Sequence, residues 1–289
     1  MCGGGAGLAM GYSFLIPQEK HEKVIGVQRI VLGIEYFGRD FCGWQHQEQA
    51  CSIQDALEMA LSSVAGKPVA TVAAGRTDAG VHATGQVVHF DTDVQRPITA
   101  WVRGVNSHLP DGVAVLWALP VSTHFHARFS ALSRSYRYVL LNHMVRPGLH
   151  SGRVGWYHAT LNDERMQQAA ELLLGEHDFS AFRAAECQAH SPVRQLHTLR
   201  ISRKRDFILF ELSANAFLHH MVRNVVGSLI WVGQGKRPPA WMTELLLGRN
   251  RHQAGPTASA AGLYLSHVTY AEHWQLPQIS PDLLDTFSF

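Results

Sequence analysis

Two similar series of strand and helix patterns follow one another along this 289-residue chain. Segments of alternating apolar residues predict strands, and segments with apolar residues at helical spacing predict helices. The predicted strands are 24–36, 69–74, 86–90, 113–120, 135–141, 196–202, 208–214 and 262–270, and the predicted helices are 52–65, 99–108, 162–174, 216–232 and 239–247. Strands and helices mix, and hairpins replace the βαβ rhythm of a parallel sheet. This order favours an α+β fold with a mostly antiparallel central sheet flanked by helices.

The two series divide the chain into an N-terminal half at 24–125 and a C-terminal half at 126–272, with predicted tails at 1–23 and 273–289. The sequence contains no apolar run long enough to span a bilayer. Residues 8–16 lack a preceding basic residue, so we do not expect a signal peptide. The four cysteines form no CxxC pair and are too few for a disulfide scaffold, which favours a reducing cytoplasm.

One acidic residue, Asp78, lies between two glycines in the turn after strand 69–74. Gly75 and Gly80 allow a tight or irregular turn, and Arg76 places a cation two residues before the acid. Two interpretations are open. The acid can bond its own backbone in an ordinary turn, or it can be a fixed, ionised carboxylate of the kind that covalent catalysis by aspartate requires.

A basic and aromatic segment, 124–137, begins the second half and contains no acidic residue. On a strand, Arg134 and Tyr136 would project from the same face. A cation beside an aromatic ring suits an RNA phosphate and a base, so Arg134, Tyr136 and the nearby Arg128 are candidate substrate-binding residues.

The predicted helix 216–232 is apolar nearly all round and is therefore expected to be buried. Arg223 lies in its middle. A guanidinium group keeps its proton, so a buried one needs a carboxylate or phosphate partner. Acidic residues are scarce nearby in the sequence, which makes Asp78 a candidate partner. The alternatives are that Arg223 lies at the rim of the helix or contacts an RNA phosphate.

Several motifs occur in a fixed order between about residue 28 and residue 270. They are Gly43-Trp44-Gln45, the segment 74–83 (AGRTDAGVHA), 127–131 (ARFSA), Arg134-Ser135-Tyr136, 175–182 (GEHDFSAF), 191–194 (SPVR), 217–224 (FLHHMVRN) and 262–265 (GLYL). Together they resemble the tRNA pseudouridine synthase A family, and the run around Asp78 is the most specific of them. Ser259-Ala260 departs from the Ala-Pro that the family often has before its Gly-Leu-Tyr-Leu.

The resemblance implies a pseudouridine synthase fold with two similar halves, each like an RNA-recognition-motif or ferredoxin-like domain. It implies isomerisation of uridine to pseudouridine at positions 38, 39 and 40 of the tRNA anticodon arm, with no cofactor and no metal. It also implies a cytoplasmic homodimer in which each tRNA touches both subunits.

The resemblance assigns a role to four residues. Asp78 matches the catalytic carboxylate, and Tyr136 matches the tyrosine that contacts the target nucleotide. Arg76 matches the residue that helps to hold the flipped base out of its stack. Arg223 matches the basic residue that pairs with the aspartate.

Two other functions remain to be weighed. A metal hydrolase could use Asp78, His82, His89 and Asp91, although this group lacks a recognised ligand spacing. A non-catalytic tRNA-binding or RNA-folding module is the second alternative, and it predicts that Asp78→Ala keeps tRNA affinity and loses nothing else of consequence.

Overall fold

The computed structural model describes residues 26–277, in which ten strands form a single sheet. The predicted tail 1–23 and residues 278–289 of the second tail lie outside the described residues. The strands are β1 (Gln28–Tyr36), β2 (Thr71–Ala73), β3 (His82–Thr92), β4 (Val113–Val121), β5 (Ala131–Asn142), β6 (Gly155–Tyr157), β7 (Gly175–Asp178), β8 (Val193–Lys204), β9 (Phe207–Ala214) and β10 (Leu263–Tyr270). The short strands β6 and β7 have no counterpart in the sequence prediction.

The sheet has the strand order β4-β1-β3-β10-β5-β9-β8-β7, with β2 paired to β3 and β6 paired to β5. All neighbours are antiparallel except β10 with β3 and β5 with β6. This confirms the predicted α+β class with a mostly antiparallel sheet. The last strand, β10, joins β3 to β5 and so connects the early strands with the late ones.

Four α-helices flank the sheet: α1 (Ile53–Ala65), α2 (Asp163–Glu171), α3 (Met221–Gly233) and α4 (Trp241–Gly248). The predicted helix 99–108 is a short segment with π-helical geometry over Ala100–Gly104. Ser52 caps α1 in a reciprocal capping box with Asp55, and Asn162 caps α2 by accepting from the Arg165 N–H. Both caps are residues that the sequence pattern predicts.

The predicted start of the helix 216–232 is wrong. Residues 215–220 form no helix, and α3 begins only at Met221. His220 precedes it with a left-handed backbone (φ 61°), a conformation that cannot continue a right-handed helix. Arg223 therefore lies in the first turn of α3 rather than in the middle of a longer helix.

The parallel contact between β3 and β10 joins the strand that follows the Asp78 loop to the last strand of the chain's sheet. Gly85 makes this contact close, because a Cβ there would lie 2.3 Å from the Ser266 carbonyl oxygen. Of the predicted C-terminal tail, residues 273–277 are described, and the ring of Trp274 lies 5.1 Å from that of Phe125.

Cys42 and Cys51 form a disulfide bond, with their Cα atoms 5.5 Å apart. The sequence analysis did not predict this pair. Cys187 is a buried free thiol. Among residues 26–277, no helix combines the length and the hydropathy that crossing a membrane would require.

Candidate active site

The Asp78 loop, residues 74–81, connects β2 to β3 and is held by bonds from two other parts of the chain. The Gln86 side-chain amide donates to the Gly75 carbonyl (2.7 Å), and the Trp44 N–H donates to the Thr77 carbonyl (2.9 Å). Both bonds are accepted by main-chain carbonyls of the loop. They therefore fix the path of its backbone independently of the side-chain contacts of Asp78.

Neighbouring residues of the loop point in opposite directions. Thr77 is buried, and its hydroxyl lies 2.8 Å from that of Tyr36. The Asp78 side chain is 23% exposed. The Val81 N–H donates to the Asp78 carbonyl (3.1 Å), and Gly80 (φ 77°) supplies the backbone conformation of that turn. The carboxylate of Asp78 is thereby presented to the residues at the start of α3.

Three cationic or hydrogen-bonding side chains from one short segment meet the Asp78 carboxylate. Arg223 Nη1 donates to Oδ2 (3.0 Å). His219 Nε2 lies 3.2 Å from Oδ1, and His220 Nε2 lies 3.2 Å from Oδ2. Within the described part of the chain, the side-chain contacts of Asp78 are thus with the start of α3 and not with its own loop.

Arg223 forms a pair with Asp78, as the sequence predicts. Its Nε donates to the Ala258 carbonyl (2.8 Å), so the guanidinium is held on two sides. A cation in the first turn of a helix opposes the helix dipole, and the Asp78 carboxylate offsets that unfavourable term. Both side chains are mostly buried, and the pair is therefore shielded from solvent more than a surface ion pair.

Tyr136, on β5, forms a buried wall of the site. Its ring lies edge-on to Phe217, with centroids 5.0 Å apart. A Cβ added to Gly75 would lie 3.9 Å from the Tyr136 hydroxyl, which therefore reaches the Asp78 loop. Burial raises the pKa of Tyr136, and the charge of Asp78 raises it further. The phenol is neutral at physiological pH and can act as a hydrogen-bond donor.

Arg134 and Tyr136 project from the same face of β5, as predicted, but the guanidinium of Arg134 binds main-chain carbonyls. It donates to Ala74 (3.0 Å), Asn215 (3.1 Å) and Arg128 (2.5 Å). These contacts tie the root of the Asp78 loop to the end of β9. Burial lowers the pKa of Arg134, yet a guanidinium keeps its proton at physiological pH.

Arg76 and Arg128 are exposed. Within residues 26–277, Arg76 makes no hydrogen bond or ion pair, so its guanidinium is available to a ligand beside Asp78. The guanidinium of Arg128 lies over the ring of Phe129, 5.6 Å from its centroid, and Phe129 is 75% exposed. The two arginines thus present charge on the rim of the site.

The metal-hydrolase group considered from the sequence is not assembled. His82 Nδ1 accepts from the Gly38 N–H (2.9 Å), and burial lowers the pKa of His82 to about 4. His89 Nδ1 accepts from the Ala127 N–H (3.1 Å), and Asp91 pairs with Arg29 (2.7 Å). These three side chains serve the structure of β3 and do not converge on Asp78.

Comparison with known proteins identifies the family. A family model described as tRNA pseudouridine synthase matches residues 33–130 and 169–271. Curated relatives named tRNA pseudouridine synthase A include those of Thiobacillus denitrificans (59% identical over 88% of this chain and 98% of the relative), Dechloromonas aromatica (57% over 89% and 98%) and Shewanella frigidimarina (54% over 87% and 97%). The chain belongs to the tRNA pseudouridine synthase family. The resemblance found in the sequence is confirmed.

The sequence analysis did not select His219 and His220, which this member of the pseudouridine synthase family places against Asp78. Both lie in the quoted motif 217–224, directly before the residues that begin α3. The sequence feature that could have identified them is their position close to Arg223, the predicted partner of Asp78. Their convergence depends on the left-handed backbone of His220, which a helical pattern does not reveal.

Gly43 is predicted to be essential for the shape of the Asp78 loop. It has φ 100°, and a Cβ there would lie 2.9 Å from the Thr77 carbonyl oxygen. Gly43→Ala should cost about 1–3 kcal/mol of unfolding free energy and reduce pseudouridine synthase activity at least about tenfold.

Gly66→Ala is the matched control, because Gly66 also has positive φ (74°) but has no atom within 4 Å of an added Cβ. Thermal unfolding and initial rates should show that both variants lose stability and that Gly43→Ala alone loses activity per folded molecule. Equal activity of the two folded variants would contradict the prediction.

Proposed function

We propose that this protein isomerises uridine to pseudouridine at positions 38, 39 and 40 of the tRNA anticodon arm, with Asp78 as the essential carboxylate. The observation that carries the proposal is the environment of Asp78, a partly exposed acid in a fixed loop, paired with Arg223 and bordered by the buried Tyr136. Family membership favours an enzyme over the alternative of a non-catalytic tRNA-binding module.

The reaction replaces the N1–C1′ bond by a C5–C1′ bond and leaves the composition of the nucleotide unchanged. The N1–C1′ bond breaks, the uracil turns, a C5–C1′ bond forms, the proton at C5 leaves and N1 gains a proton. Ionised Asp78 can begin this sequence by attacking C1′ or by taking the proton at C2′. Arg223 balances the charge of Asp78 in the resting site and fixes the direction of its oxygens.

A base in a helical stem cannot reach Asp78 while it is stacked, so the target nucleotide must turn out of the RNA. Arg76 is exposed two residues before Asp78 and is proposed to occupy the space that the base leaves. Tyr136 is proposed to contact the extruded nucleotide, because its buried ring forms the wall nearest to the loop. Arg128 is proposed to bind an RNA phosphate at the rim, and Arg134 to support substrate binding by holding the loop.

Release of tritium from tRNA labelled at uridine C5 tests the proposed reaction, because the C5 hydrogen is lost when the new bond forms. We expect release from a tRNA that has uridines at 38, 39 and 40. Replacement of one of these uridines by cytidine should remove the tritium release that comes from that position. Replacement of all three should abolish the release. Full release from the triple replacement would place the reaction elsewhere in the tRNA.

We also propose a homodimer, on the basis of the family resemblance, and a cytoplasmic location, where tRNA is found. Light scattering should give twice the mass of one chain in the absence of RNA, and the mass of a single chain would contradict the dimer. In a reducing cytoplasm the Cys42–Cys51 disulfide of the structure would be reduced to two thiols.

A further inference from the structure

The site contains three metal-ligating atoms that converge on one point. One carboxylate oxygen of Asp78 and one ring nitrogen each of His219 and His220 all lie within 4.8 Å of one another. We propose that these residues bind a first-row divalent transition metal such as Zn²⁺, and that the bound metal inhibits the enzyme by competing with tRNA. The metal has no part in catalysis.

The distances fit the coordination geometry of zinc. Bonds of about 2.0–2.1 Å in a tetrahedral site place neighbouring ligand atoms about 3.3 Å apart. His219 Nε2 lies 3.2 Å from Oδ1 of Asp78, close to that spacing, while His220 Nε2 lies 3.2 Å from Oδ2, the other oxygen of the same carboxylate. Two imidazoles and a carboxylate are also ligands for which zinc and its neighbours in the first row have high affinity.

The backbone explains how two consecutive histidines can reach one carboxylate. His220 has a left-handed conformation (φ 61°), which is uncommon for a residue with a Cβ. The rings of His219 and His220 lie beside each other, with centroids 4.0 Å apart. Two consecutive histidines are therefore directed at the same carboxylate.

A hydrated ion can reach these atoms. The side chains of His219, His220 and Asp78 are 39%, 28% and 23% exposed. The metal would take Oδ1 of Asp78, 3.2 Å from His219 Nε2, because Oδ2 accepts from Arg223. His220 Nε2, which lies 3.2 Å from Oδ2, would turn from that oxygen to the metal. The ion would bind the three protein ligands, keep one water as its fourth ligand and release the rest of its hydration shell to solvent. Each imidazole binds as the neutral form, and any proton on Nε2 passes to solvent.

The charge of Arg223 opposes the metal. Its Nη1 lies 3.0 Å from the carboxylate that the ion must share, so a dication and a guanidinium repel each other at close range. Removal of the arginine should therefore strengthen metal binding. Histidines on a surface without a neighbouring cation would show no such increase in affinity.

Competition with tRNA rests on the proposed function. If the target uridine must reach Asp78, a metal on that carboxylate and the extruded base exclude each other. Metal binding itself does not depend on this step, so it can be measured without any activity.

Cobalt provides the direct test, because four-coordinate Co²⁺ has a visible absorption band that Zn²⁺ removes on displacing it. Co²⁺ should bind untagged full-length protein with a stoichiometry of one site per chain. His219→Gln and His220→Gln should each weaken binding at least about tenfold, and Arg223→Leu should strengthen it about tenfold. His197→Gln, which removes an exposed histidine of β8, is the control and should leave the affinity unchanged. No band at millimolar Co²⁺, or equal affinity of the His219, His220 and His197 variants, would overturn the site.

Unmodified substrate tRNA should then release the bound cobalt, and Zn²⁺ should inhibit tritium release in a manner that more tRNA relieves. A metal that binds as described but stays in place when tRNA is saturating would overturn the competition while leaving the metal site intact. Failure of the proposed function is separate from both, since it would show as no tritium release in metal-free buffer.

Discussion

Asp78→Asn should abolish tritium release from substrate tRNA, with a fall in the single-turnover rate of at least about 10³-fold. The substitution keeps the size of the side chain and its contact with Arg223 through an amide oxygen, but it removes the charge. Neither attack at C1′ nor removal of the C2′ proton can begin from a neutral amide.

Binding of tRNA should survive the same substitution, because the phosphates of the RNA are held by basic side chains and not by this carboxylate. A filter-binding or anisotropy titration should give a dissociation constant within about threefold of the parent. Asp93→Asn is the matched control, since Asp93 is an exposed acid paired with Lys67 outside the site. It should retain full activity. Equal release by the parent protein and Asp78→Asn would refute the catalytic role.

The pairing of Asp78 with Arg223 could be predicted from the sequence because acidic residues are scarce near Arg223. An arginine in an otherwise apolar segment needs an anion, and Asp78 was the acid whose glycine-bounded turn left it free to serve. The structure confirms the pair at 3.0 Å. The reasoning succeeded because it depended on charge balance and not on the exact start of the helix.

The local geometry around that pair could not be predicted. The start of α3 at Met221 follows from the left-handed backbone of His220, and apolar periodicity carries no information about it. The bonds that Arg134 donates to the Ala74 and Asn215 carbonyls, both distant in the sequence, are likewise a product of tertiary packing. The strand pattern correctly predicts the face from which the Arg134 side chain projects. It could not show that the guanidinium donates to main-chain carbonyls of the protein.

Arg223→Leu should reduce the rate of the chemical step far more than the affinity for tRNA. It leaves the Asp78 carboxylate in a mostly buried position without its cation, and it also removes the bond to Ala258 that fixes the start of α3. Loss of one partner of such a pair costs about 2–5 kcal/mol. If the transition state bears this cost, kcat falls by about 30-fold to about 5,000-fold. Arg223→Lys should give an intermediate rate, because an ammonium group keeps the charge but cannot span Asp78 and Ala258 as the guanidinium does.

The distinction between kcat and binding is what identifies the role of Arg223. If it positions Asp78, kcat falls while the dissociation constant of tRNA changes by less than about threefold. If it binds an RNA phosphate instead, affinity and its salt dependence fall while the rate at saturating tRNA is preserved. Arg249→Leu is the control for loss of an arginine–aspartate pair as such, because Arg249 lies 3.2 Å from Asp178 and is mostly exposed. An unchanged kcat in Arg223→Leu would remove Arg223 from the catalytic machinery, and the buried pair would then be a contact that only stabilises the junction between the Asp78 loop and α3.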